Sequence, residues 1–182
     1  MLFPGGRLPL RIFESRYMEM AKRCLKDGSP FGVCAIREGN EVGAPAVPYD
    51  VGTLARIAEW DMPQLGMLHI VALADERFRI LERRIERNGL QLARITLLAA
   101  ENDSPVGENA TACVRLLERI IEQQPEIIAA PHRLDSASWV GARLTELLPL
   151  PLAERQALLE LDDPAERLAR LNQKIRGSRA GA

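Results

Sequence analysis

The sequence predicts an α+β protein, with a β-rich N-terminal part that holds one helix, followed by a run of helices. Three observations carry this expectation. Apolar runs of strand length alternate with turn residues between positions 31 and 100. The hydrophobic period switches to helical near Asp103-Ser104-Pro105 and stays helical. One amphipathic stretch, from about Ser15 to Lys26, interrupts the β-rich part near its start.

In chain order, Met1–Leu10 carries two prolines and a Gly-Gly pair and reads as an extended entry loop. Tyr17, Ala21, Cys24 and Leu25 then fall on one face of a helix, and Gly28 supplies a stop. Strands are expected at Phe31–Ile36, Val51–Trp60, Met67–Ala74, Arg77–Arg84 and Leu90–Ala100, with Gly39–Pro48 as a loop or hairpin tip. Asn88-Gly89 is a two-residue hairpin signal, and strands so spaced suit a small antiparallel barrel or sandwich. In the helical part, Ser104 and Pro105 suit a helix start, with Cys113, Leu116, Leu117, Ile120 and Ile121 as its buried stripe. Asp135 caps a second helix that buries Val140, Leu144 and Leu147. A third spans Leu152–Leu161. Asp163, Pro164 and Glu166 open a fourth, lined by Leu168, Leu171 and Ile175. The expected division is 1–102 for the β-rich part, 103–177 for the helical bundle, and 178–182 for a disordered tail.

Composition narrows the function. The net charge is −1 and the charged share 27%, so the whole chain has no pull toward polyanions. Cys24, Cys34 and Cys113 are far apart and form no CxxC pair, which argues for reduced thiols in a cytoplasmic protein. No apolar run approaches the roughly 20 residues of a membrane span. Neither a phosphate-cradling GxxxxGK[ST] loop nor a GxSxG elbow occurs. His69 and His132 stand apart without ligand spacing and are read as structural or surface residues. The carboxylate pairs Glu59 with Asp61, Asp75 with Glu76 and Asp162 with Asp163 are read as turn and cap residues. No catalytic residue, metal site or cofactor is expected.

The segment Pro9-Leu10-Arg11-Ile12-Phe13-Glu14-Ser15-Arg16-Tyr17 resembles the opening signature of the substrate-recognition domain at the N-terminus of Lon proteases. Phe3-Pro4-Gly5-Gly6, Gly52-Thr53-Leu54-Ala55-Arg56-Ile57 and Arg77-Phe78-Arg79-Ile80 resemble further motifs of that family, in order. So do Asp135–Val140, Glu146–Leu150, Gln156–Glu160 and Arg167-Leu168, and together they cover nearly the whole chain. The resemblance implies a PUA-like β-barrel with one inserted helix and a C-terminal helical bundle. It also implies a stand-alone bacterial form, without the ATPase and Ser–Lys peptidase modules that carry the family's chemistry. The family pattern has an apolar strand ahead of the Phe-Pro-Gly-Gly loop, and Met1 falls almost on that loop. Either the start is misplaced and an edge strand is missing, or this form dispenses with that strand; an N-terminally extended chain is expected to melt higher.

The expected function is a non-catalytic protein- or peptide-binding module, an adaptor in protein quality control or proteolysis. Its partners would be unfolded or degron-bearing segments, with a protease as a further partner. Phe13, Tyr17 and Trp60 are the candidates for an apolar peptide-binding groove, against a purely architectural role for the signature residues. An RNA-binding PUA-like protein is the alternative. It rests on Arg77, Arg79, Arg83 and Arg84, with Arg87, in the run Glu76–Arg87, where three glutamates interrupt five arginines. A self-neutralising solvated strand face is the preferred reading of that run.

Overall fold

A computed structural model describes residues 1–40 and 42–180, with side chains through residue 177. The chain divides into two compact units, Met1–Leu98 and Ala99–Ala182, so the break falls just ahead of the 102/103 boundary.

The first unit is built on one five-stranded antiparallel sheet. Its strands are β1 (Arg7–Ile12), β2 (Phe31–Val33), β5 (Val51–Gln64), β6 (Met67–Ile85) and β7 (Gln91–Leu97). β3 (Ile36–Glu38) and β4 (Val47–Pro48) form a separate two-stranded ribbon, β3 just ahead of the stretch Gly39–Pro48 expected to be a loop or hairpin tip and β4 at its end; Glu41 lies outside the described residues. The path runs β1-β6-β5-β2, and β7 also pairs with β6. Its ends do not meet among the described residues, so the sheet is open where a barrel was expected.

β6 organises this sheet. One edge takes β5, and the other takes β1 along Leu68–Leu73 and then β7 along Phe78–Ile85. Two strands were expected here, with Asp75-Glu76 as a turn. Instead the strand runs through, and a register shift opposite Thr53/Ala55 absorbs the extra residues as a bulge. The Phe3-Pro4-Gly5-Gly6 turn docks beside that bulge: Gly5 N–H donates to the Ala74 carbonyl (3.2 Å), and Ala74 N–H donates to the Gly6 carbonyl (2.9 Å). The Thr53 hydroxyl donates to the Leu2 carbonyl (2.8 Å), burying Leu2 and Phe3. That docking draws Arg7–Leu10 out of the expected entry loop and into β1. Pro9 is tolerated there because β1 pairs on one side only.

Helix α1 (Ser15–Asp27) follows the expected bounds and ends at Gly28, whose φ of 63° is the left-handed stop. It turns Ala21 and Cys24 onto the sheet face made by Ile12, Ala55, Leu68, Ile70 and Ala72. Phe78 is in register with Gly52 on β5 and Leu97 on β7. A Cβ at Gly52 would lie 2.5 Å from Cys34 Sγ, and one at Gly32 would lie 2.9 Å from the Phe78 ring. Glycine at both positions lets the ring pack down onto the backbone.

The second unit holds α2 (Thr111–Gln123), α3 (Ala137–Leu147), α4 (Leu152–Glu160) and α5 (Pro164–Ala180). α2 starts later than Ser104-Pro105 suggests. Pro105 forms a β-bridge with Ser136 instead, and a short 3-10 turn (Glu108–Ala110) leads into the helix. Ser136, rather than Asp135, caps α3 by accepting from Trp139 N–H at 3.0 Å. Asp163 and Pro164 open α5 as expected, with Ala165 N–H donating to Asp163 Oδ1 at 2.8 Å. The helix continues to Ala180, into the stretch expected to be a tail, and Gly181 and Ala182 lie outside the described residues. Cys113 and Leu117 from α2, Val140 and Leu144 from α3, and Leu168 and Leu171 from α5 form its buried interior.

Candidate functional site

The three aromatic candidates all lie on the first unit. Trp60 sits on β5 in a cross-strand row with Ile70 and Leu10. That row continues the face that carries the core, but beyond its cover, so Trp60 is 61% exposed. Phe13 follows β1 directly and is 55% exposed. Tyr17 is half-buried, its ring 4.7 Å from the guanidinium of the buried Arg16. Arg16 is held in turn by Glu14 (2.8 Å) and the Gly89 carbonyl (3.3 Å). No ring pair joins Phe13, Tyr17 and Trp60 among the described residues. Tyr17 is thus half-buried on α1, while Phe13 and Trp60 are exposed.

The β5–β6 hairpin adds what sequence reasoning missed. Past Ala58, β5 has β6 on one edge and, among the described residues, no strand on the other, and every residue from Glu59 to Gly66 is exposed. Met62 is 39% exposed and Leu65, beside the turn glycine Gly66, is 98% exposed. Trp60, Met62 and Leu65 thus stud one arm with apolar surface that folding leaves in water. The only charges on the arm are Glu59, paired with Arg7 at 2.6 Å, and Asp61. The signal was visible as four apolar side chains in Trp60–Met67, a segment too rich in turn residues to be a core strand.

The arginines do not form one stripe. Arg77 is buried, while Arg79, Arg83, Arg84 and Arg87 are exposed. Register places Arg79 opposite Thr96 and Arg84 opposite Leu92 on one face, and Arg83 opposite Ala93 on the other. Glu82 ion-pairs with Arg94 on the Arg79 face. The two expected structural histidines also stay apart. His69 lies within β6, and His132 Nε2 contacts the Ile128 carbonyl at 3.0 Å. Among the described residues, no cluster of His, Cys, Asp or Glu could hold a metal ion. No helix there is long and apolar enough to cross a membrane.

Comparison with known proteins places this architecture. Residues 1–176 match the family model of the ATP-dependent protease La (LON) substrate-binding domain. The chain is 28% identical over 176 residues to Lon protease 2 of Myxococcus xanthus, covering 92% of this chain and 21% of that protein. It is 29% identical over 101 residues to cereblon of Gallus gallus, covering 54% of this chain and 22% of that protein. The chain therefore spans about a fifth of the length of these relatives. Among solved structures, it superposes on a Lon N-terminal domain protein from Xanthomonas campestris with a TM-score of 0.77 and 35% identity, covering 94% of this chain and 90% of that one. The N-terminal domain of a Mycobacterium avium complex Lon protease, 17% identical with a TM-score of 0.63, shares the fold, covering 94% of this chain and 90% of that one. The family match over 176 of 182 residues is decisive: the chain belongs to the Lon substrate-binding domain family.

Proposed function

We propose that this chain is a non-catalytic recognition module that binds apolar segments of unfolded or degron-bearing proteins and presents them for proteolysis. The exposed apolar arm of the β5–β6 hairpin carries the reading: Trp60 and Met62 stand in water on β5 and Leu65 in the turn that follows it, with Phe13 on the same unit. A surface of that kind gains free energy by covering apolar side chains of a client, at about 25 cal/mol per Å² buried. The family membership supports the same role, and the antiparallel sheet with its inserted helix is read as an open form of the PUA-like barrel. The packing of α3 on α5, and of α2 on both, supports a helical bundle in the second unit.

The test is fluorescence anisotropy with labelled, reduced and carboxymethylated α-lactalbumin, which stays unfolded. The wild-type chain binds it, and Trp60→Ser or Leu65→Asp weakens binding by about tenfold, or about 1.4 kcal/mol. Absence of binding, or equal affinity for all three proteins, overturns the proposal. So does digestion of casein by the purified chain alone.

A further inference from the structure

The edge of β5 that β2 leaves bare gives the apolar arm a mode of binding. β2 pairs with β5 only along residues 53–55, and Arg56 closes that stretch by donating to the Gly28 carbonyl at 2.8 Å. From residue 57 to residue 62 the same edge has no strand against it among the described residues, while β6 holds the other edge. A bare strand edge presents a row of unpaired N–H and C=O groups. Pro63, which has no N–H, ends the row. Side chains alternate along it, with Trp60 and Met62 exposed on one face and Glu59 and Asp61 exposed on the other. Glu59 pairs with Arg7 at 2.6 Å. Asp61 accepts from the Met62 N–H at 2.8 Å and has no ion pair among the described residues.

Those carboxylates decide between occupants. A second copy would add antiparallel about a two-fold axis normal to the sheet, and such an axis pairs only residues that share a face. Centred on Glu59, Trp60 or Asp61, it sets a carboxylate of one copy against a carboxylate of the other, or against Ile57. The first two registers that align the arms best, Trp60 on Trp60 and Asp61 on Asp61, both place like charges directly opposite, which is destabilising. A strand with basic residues on one face and apolar residues on the other meets opposite charge and covers Trp60 and Met62 at once. We propose that an extended client segment, in which apolar residues alternate with Lys or Arg, adds to the bare edge of β5 as a further strand. Main-chain hydrogen bonds hold it, and the alternating side chains select it. This rests on the recognition of unfolded segments proposed above and gives that recognition a geometry and a sequence preference.

The test uses the whole chain and labelled peptides flanked by Gly-Ser, one of four Val-Lys repeats and one of four Val-Glu repeats. The Val-Lys peptide binds, and the Val-Glu peptide binds at least about tenfold more weakly. Asp61→Lys, at an exposed position, erases that difference and keeps the wild-type melting temperature. Two further Val-Lys peptides carry N-methyl groups on every Val nitrogen or on every Lys nitrogen. Only one of these sets faces β5 in an added strand, so one peptide loses at least about tenfold in affinity and the other does not. Equal binding of the Lys and Glu peptides, equal effects of the two methylations, or no binding at 1 mM overturns the proposal. So does a dimer in sedimentation that Trp60→Ser dissolves, which would give the edge to a second copy. Binding of unfolded α-lactalbumin without these peptide preferences keeps the apolar arm as the recognition surface and removes the added strand. The preferences without α-lactalbumin binding do the reverse.

Discussion

Arg167 and Glu101 meet as a fork inside the second unit, Nη1 to Oε2 at 3.0 Å and Nη2 to Oε1 at 2.5 Å, with side chains 0% and 9% exposed. The same guanidinium donates to the Leu158 carbonyl from Nε (2.9 Å) and to the Leu161 carbonyl from Nη2 (2.9 Å), and the Ser138 hydroxyl donates to Glu101. One side chain thus ties α5 to the end of α4 and to the segment that precedes α2. Removing a partner of a buried pair strands the other charge. Arg167→Met is expected to lower the unfolding free energy by about 3–5 kcal/mol, read from urea midpoints. A loss below about 1 kcal/mol would show that the fork contributes little.

Gly141 sits in α3 with the Arg167 chain against it; a Cβ there would lie 3.2 Å from Arg167 Cδ and 3.5 Å from Cγ. Helix propensity alone makes Gly→Ala favourable by about 1 kcal/mol. Arg167 cannot yield, because its hydrogen bonds to Leu158, Leu161 and Glu101 fix it, so overpacking wins. Gly141→Ala is expected to destabilise by about 1–2 kcal/mol, and a raised melting temperature would contradict this.

Cys34 has its thiol pushed up to about 11, by burial first and then by the Asp50 carboxylate, with Arg83 pulling the other way. Its ordinary value is 9.0, so above that pH the unfolded chain releases a proton that the folded one keeps. The stability is fully present below pH 9 and falls as pH rises from there toward 11, by about 1.4 kcal/mol per pH unit for this group. Urea midpoints measured between pH 8 and 10.5 are expected to decline, and to decline less steeply in Cys34→Ala.

Asp103 shows the opposite sign. Burial alone would raise its carboxyl, but hydrogen bonds from the Ser136 hydroxyl (2.7 Å) and the Ser138 and Ser104 N–H groups (3.0 Å each) outweigh it. Arg133 at 3.1 Å adds to them, and the group is held below 3.8. The stability it contributes is present above that pH and is lost as pH falls through the folded value. Asp103→Asn is expected to flatten the acid limb of the urea midpoint between pH 5 and 2, whereas an unchanged limb would assign it to other carboxylates.

Local chemistry made much of this fold legible. Gly28 and Gly89 mark a helix stop and a hairpin turn, both with positive φ, and Asp163-Pro164 marks the start of α5. What stayed hidden depends on partners distant in sequence. Arg7–Leu10 becomes a strand only because Ala74 pairs with the turn before it, and Pro105 stays extended because Ser136 pairs with it. The continuity of β6 through Asp75-Glu76 needs a bulge that no local pattern announces. Of the candidate site, Phe13 and Trp60 are found exposed, whereas Leu65 and Met62 were hidden within a turn-like segment, and the arginine run divides between two faces once register is known.

Both ends of the first unit zip onto β6, yet their routes there differ in length. β7 closes through the short Glu86–Leu90 turn, whereas β1 must wait until the chain from residue 13 to residue 67 has folded back on itself. The entropy of that larger loop is lost before any β1 hydrogen bond forms. β1 is therefore expected to dock after β7 and to leave before it, a latch whose backbone amides should exchange with solvent sooner than those of β7.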